Sequence, residues 1–94
     1  FRRKKMKTKS FKQIIDRVIE KGADCIIIKR STSYCGCINP DDIIAVEVHK
    51  GEKIYVASIS HFFSEPIIYV DRLVRDKDGR CIDRWTIGQY KYDN

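Results

Sequence analysis

Two prolines and five glycines are all that punctuate these 94 residues, which excludes a collagen-like repeat and a flexible linker. No stretch approaches the roughly 18 consecutive apolar residues of a membrane helix, and no apolar run follows the basic N-terminus as a secretory signal requires. The expectation is therefore a cytoplasmic protein with reduced thiols and no membrane partner. Histidine is scarce: His49 and His61 fall at opposite ends of one hairpin and cannot serve one site together. There is no Gly-rich phosphate loop and no Ser, His and Asp signature. The adjacent Asp41 and Asp42 are accounted for by capping a turn, so a non-enzymatic protein is expected.

Four cysteines, Cys25, Cys35, Cys37 and Cys81, would suffice in number for tetrahedral zinc. Their spacing does not suit it, because only Cys35-Gly-Cys37 is paired, with one residue between where zinc knuckles have two to four. Cys25 and Cys81 read as small buried hydrophobes on strands. A zinc- or thiol-dependent module is a minor reading, and no cofactor or metal is expected.

What is abundant is charge and β-branched carbon. Lys and Arg number 19 against 13 Asp and Glu, a formal net charge of +6. Arg2, Arg3, Lys4 and Lys5 supply four of those units just ahead of Met6, so residues 1–9 read as a basic arm or an expression remnant before a single domain, 10–94.

Ser10 and Gln13 have capping-box spacing, which predicts a helix starting at Phe11. Phe11, Ile14, Ile15, Val18 and Ile19 recur on one face, and Gly22 with Lys21 ends the helix. Cys25-Ile-Ile-Ile28 then reads as a strand buried on both faces. Asn39-Pro40-Asp41-Asp42 allows at most one helical turn. Ile43–Val48 and Lys53–Ile59 form a hairpin; a three-residue loop, Lys50-Gly51-Glu52, would set Val48 opposite Ile54 and Val46 opposite Val56. That register places Ile44, Val46, Val48, Ile54 and Val56 toward the helix, with Tyr55, Ala57 and Ile59 on the other side. Ile67–Arg75 and Arg80–Ile87 form a second hairpin around Asp76-Lys-Asp-Gly79, with Arg72 facing Asp83, Asp71 facing Arg84 and Val70 facing Trp85. Gly88–Asn94 is expected to fray. The fold class is α+β, an N-terminal amphipathic helix packed on a four- to five-stranded, mainly antiparallel sheet, with a small curled barrel as the alternative.

One short helix cannot cover both faces of such a sheet, so an apolar face is left over for a partner. The expected function is a small binding or regulatory protein acting through protein contacts or self-association, of the kind phages and mobile elements use as inhibitors. Its binding residues would be Tyr55, Ile59 and Tyr69 on the sheet, with Phe62 and Phe63 at its edge. The alternative is a nucleic-acid-binding module using Arg2, Arg3, Lys4, Lys5, Lys7, Lys9 and Lys12, extended by Lys29 and Arg30.

Overall fold

A computed structural model describes residues 7–34, 38–60 and 65–93. Along the chain run β1 (Thr8–Lys9), α1 (Phe11–Glu20), β2 (Cys25–Arg30), β3 (Ile43–Lys50), β4 (Lys53–Ser60), β5 (Ile67–Arg75) and β6 (Cys81–Tyr92). They form one six-stranded sheet in the order β1-β6-β5-β4-β3-β2, curled into a half-barrel. This has more strands than expected and the curl of the barrel alternative. Every neighbouring pair is antiparallel except β1 with β6.

The helix forms as its local signals require. The Ser10 hydroxyl accepts from the Gln13 N–H at 3.2 Å and the Gln13 side chain accepts from the Ser10 N–H at 2.9 Å. Gly22, at φ +80°, ends the helix in a conformation that costs other residues a Cβ clash. Phe11 and Ile14 are buried against Val46, Val48, Ala57 and Ile68, with Ile15 and Val18 partly so. Ile19 departs from the expected apolar stripe and is 59% exposed on the last turn.

Topology makes this helix a strap. It connects β1 at one edge of the sheet to β2 at the other, so it crosses the inner, concave face. Its Phe11 ring meets Tyr92 of β6 at 5.9 Å. Ten residues give about 15 Å of helix, whereas the twelve-residue β6 runs to roughly 40 Å. Much of the inner face therefore stays open.

Several expectations are corrected. β2 is an edge strand, not a doubly buried one: only Ile26 is partly covered, while Ile27 and Ile28 are 50% and 42% exposed. A triple Ile run reads the same in either place. The Asn39–Asp42 segment keeps within the expected limit of one turn: it is a β-turn with Pro40 at its second position and Asp41 at φ 72°, closed by Asp42 N–H to Asn39 C=O at 3.1 Å. Gly88–Tyr92 does not fray, because β1 pairs with Lys91 and Tyr92.

The first hairpin turns on two residues, with Lys50 opposite Lys53. Gly51 at φ +60° before a residue of negative φ is the type II′ arrangement, whose twist matches the flanking strands. Val48 thus faces Tyr55 and Val46 faces Ala57, one residue from the expected register. Since side chains alternate, that slip moves all of β4 to its other face. Tyr55, Ala57 and Ile59 point to the helix side; Ile54 and Val56 do not.

In the second hairpin the Asp76 carboxylate accepts from the N–H groups of Asp78 and Arg80, both at 2.9 Å, lengthening the loop by one residue. A bulge at Val74/Arg75 adds another. Arg72 therefore faces Trp85, Asp71 faces Thr86 and Val70, after a second bulge, faces Gly88. The expected Arg72 to Asp83 and Val70 to Trp85 pairs do not form. Asp71 and Arg84 do meet, along a diagonal.

Candidate functional site

The corrected registers align residues in transverse rows across the inner face. One row is Val48, Tyr55, Arg72 and Trp85; the next is Val46, Ala57, Val70 and Gly88; a third is Ile59, Ile68 and Tyr90. The second and third rows, together with Val48 of the first, form the core beneath α1. The first lies where the helix ends, so its polar members face an open groove of about 1110 Å³ between α1, the β3–β4 turn and the inner face.

Six cations line this groove: Lys9 from β1, Arg17 and Lys21 from the helix, Lys50 and Lys53 flanking the II′ turn, and Arg72 on the floor. Two carboxylates, Asp24 and Glu52, oppose them. Asp24 is already engaged, its Oδ2 accepting from the Gly51 N–H at 2.7 Å. Outside the first five residues the chain carries 15 cations against 13 carboxylates. The groove thus holds more excess positive charge than residues 6–94 carry as a whole.

Aromatic rings, not carboxylates, hold two of these cations. Lys9 Nζ lies 4.4 Å from the Tyr90 ring centroid. The Arg72 guanidinium sits between Tyr55 and Trp85, at 5.5 and 5.7 Å. Ring faces attract a cation without using up its N–H donors. The Arg72 Nε is buried and without a hydrogen-bond partner, which leaves its desolvation cost uncompensated. Trp85 remains 42% exposed beside it.

The outer face is built differently. Arg84 Nε donates to Asp71 Oδ2 at 2.6 Å and Thr86 Oγ1 to Asp71 Oδ1 at 2.8 Å. Arg75 Nη2 and Nη1 grip the two oxygens of Glu47 at 2.6 and 3.2 Å, and His49 Nε2 is 2.7 Å from the second. The hydrogen bond from Arg75 holds the Glu47 carboxyl down at about 2 from 4.5, against the opposing effect of burial and with help from His49. Glu47 in turn raises Arg75.

The residues singled out from sequence scatter over this frame. Tyr55 and Tyr69 lie on opposite faces: Tyr55 pairs with Arg72, Tyr69 with Ser58 on the outer side. They cannot form one surface, because the β4 register that would have joined them is the one corrected above. Ile59 is partly buried against the core and, with Lys29, lines a smaller hollow of about 340 Å³. Phe62, Phe63, Arg2, Arg3, Lys4 and Lys5 lie outside the described residues. Lys7 and Lys12 are exposed, on the approach to β1 and on the helix. Arg30 is committed to the loop, its Nη1 donating to the Asp41 carbonyl at 2.8 Å. Of the described members of the basic set only Lys9 lines the groove, together with Tyr55.

Arg17, Lys21, Lys50, Lys53, Arg72, Trp85 and Tyr90 were not foreseen as a site. The signal that could have found them is Gly51 itself: a glycine at the first position of a two-residue turn sets the register that puts Arg72 beside Tyr55.

Among the described residues no group of three or more His, Cys, Asp or Glu is placed to hold a metal ion. Cys25 and Cys81, expected to be buried, are exposed and free, because β2 is an edge strand and Cys81 opens β6; Cys35 and Cys37 lie outside the described residues. No helix there is long and apolar enough to cross a membrane. Comparison with protein-family models, with curated proteins and with solved structures finds no match to this chain.

Proposed function

We propose that this chain is a non-catalytic binding module whose inner groove takes a single strand of nucleic acid. The observation that carries this reading is the convergence of six cations from five elements on one groove floored by Tyr55, Arg72 and Tyr90. Single strands are bound by combining a basic track for phosphates with rings on which bases stack. Lys21, Lys50 and Lys53 supply the track at the rim. Trp85, exposed at the end of the Tyr55–Arg72 row, offers the stacking face. The Arg72 fork, held between two rings on the groove floor, suits a phosphate oxygen through its terminal N–H groups.

A protein partner with an acidic segment would meet the same charge, and stacking separates the two. Anisotropy of a labelled single-stranded oligonucleotide, read together with emission from the sole tryptophan, tests the reading. With about four phosphates engaged, affinity should fall roughly 50-fold between 50 and 200 mM salt. Trp85 emission should be quenched on binding, and Arg72→Gln should weaken it. Polyglutamate binding as tightly as the oligonucleotide with Trp85 emission unchanged, or no oligonucleotide binding at low salt, overturns it.

A further inference from the structure

The two open edges of the sheet are guarded unequally. Natural sheets protect edge strands with bulges, charges, proline or a covering segment, because unpaired N–H and C=O groups invite another strand. β6 has such protection: two bulges, Asp83 and Arg84 along its length, and β1 laid against its end. β2 has little. Its first four residues are Cys25-Ile-Ile-Ile28, with regular pairing to β3 until Lys29/Arg30 and no proline. Among the described residues no element pairs with its outer side.

We propose that β2 pairs antiparallel with β2 of a second copy of this chain, joining two half-barrels into one continuous sheet. A two-fold axis through such a pair places residues of the same face opposite one another, which restricts the registers. Centred on Ile27, the pairing sets Ile27 against its own copy on the outer face and Ile26 against Ile28 on the inner face. It also brings Asp24 toward Arg30 of the second copy at both ends, opposite charges where the strand runs out, each of which also holds one bond within its own chain, Asp24 to Gly51 and Arg30 to Asp41. Moving the centre to Ile28 sets Ile27 against Lys29 and Ile26 against Arg30; moving it to Ile26 sets Asp24 against Ile28. The Ile27-centred register leaves Cys25 opposite Lys29, and of the three it alone combines isoleucine pairs with a pair of opposite charges.

One strand pair makes a small interface, so the dimer belongs to the transient class and forms with rising concentration. Sedimentation velocity from about 5 to about 500 µM, a range suited to that class, should show monomer giving way to dimer. Ile27→Lys puts two ammonium groups face to face and should leave a monomer at every concentration. Because Ile27 is half exposed, its circular dichroism and melting should match the parent. In a chain with its four native cysteines changed to serine, Ile27→Cys should cross-link on oxidation, whereas Tyr34→Cys, on an exposed loop, should not. A monomer throughout the range overturns the proposal, as does a dimer that survives Ile27→Lys and is dissolved instead by Ile82→Lys on β6. None of these readouts involves nucleic acid.

Discussion

On the outer face Arg75 and Arg84 each meet a carboxylate at 2.6 Å. On the inner face Lys9 and Arg72 lie over aromatic rings, and Lys50 and Lys53 make no ion pair with the described residues. The same residue types thus do two jobs on one sheet. An outer cation spends its donors inside the protein, where a half-buried ion pair helps hold strands in register. An inner cation keeps its donors, since a ring face attracts charge without accepting a directed hydrogen bond at each N–H. Charge that is paired belongs to the fold; charge that is only positioned is available to a partner.

The sharpest way to break this contrast is to reverse charge on the inner face. Lys50→Glu together with Lys53→Glu should weaken oligonucleotide binding by about 100-fold while leaving the melting temperature nearly unchanged, because surface substitutions away from special features shift stability little. A large loss of stability in that variant would mean that these lysines serve the fold.

The mirror experiment is Asp71→Asn. It removes a buried carboxylate that accepts from both Arg84 and Thr86, and should cost about 2 kcal/mol in urea unfolding. Binding by the refolded protein should change less than twofold. Equal effects on stability and binding would erase the distinction between the faces.

A third test uses pH. The Glu47 carboxyl titrates at about 2 in the folded chain against 4.5 ordinarily, so its ionised form stabilises the fold above about pH 4.5 and that contribution drains away as pH falls toward 2. Urea midpoints measured across this window should drop more steeply for the parent than for Glu47→Gln. Parallel curves would remove Glu47 from the account.

The smallest expected effect concerns the turn that sets the faces. Nothing lies within 4 Å of a Cβ built at Gly51, so Gly51→Ala meets only the backbone cost of its positive φ, about 1 kcal/mol. A loss several times larger would indicate that the hairpin slips out of register.

How much of this was legible in the sequence follows the range of each signal. The helix is encoded within thirteen residues, since Ser10, Gln13 and Gly22 act on their own neighbours, and its limits are as expected. Turns were half legible: Gly51 and Asp76 marked their places, but whether a loop holds two, three or five residues depends on backbone angles and side-chain acceptors that composition does not reveal. That one-residue ambiguity sent Tyr55 to the wrong face and hid its neighbour Arg72. The apolar run in β2 says strand but not how many neighbours the strand has. Least legible was the pairing of residues 8–9 with residues 91–92, because nothing local in either segment names the other.

That last contact also sets an order of events. The four antiparallel pairings join strands that follow one another along the chain, and closing their connections of two to twelve residues is entropically cheap. The β1–β6 pair spans nearly the whole described chain for two residues of ladder, so it forms late and opens early. Because β1 leads directly into α1, each opening frees one anchor of the strap. The amide protons of Lys91 and Asp93, bonded to Lys7 and Lys9, should then exchange well before those at the centre of β4 and β5. The strip of sheet beneath the helix becomes reachable from the chain's own latch while its middle strands stay folded.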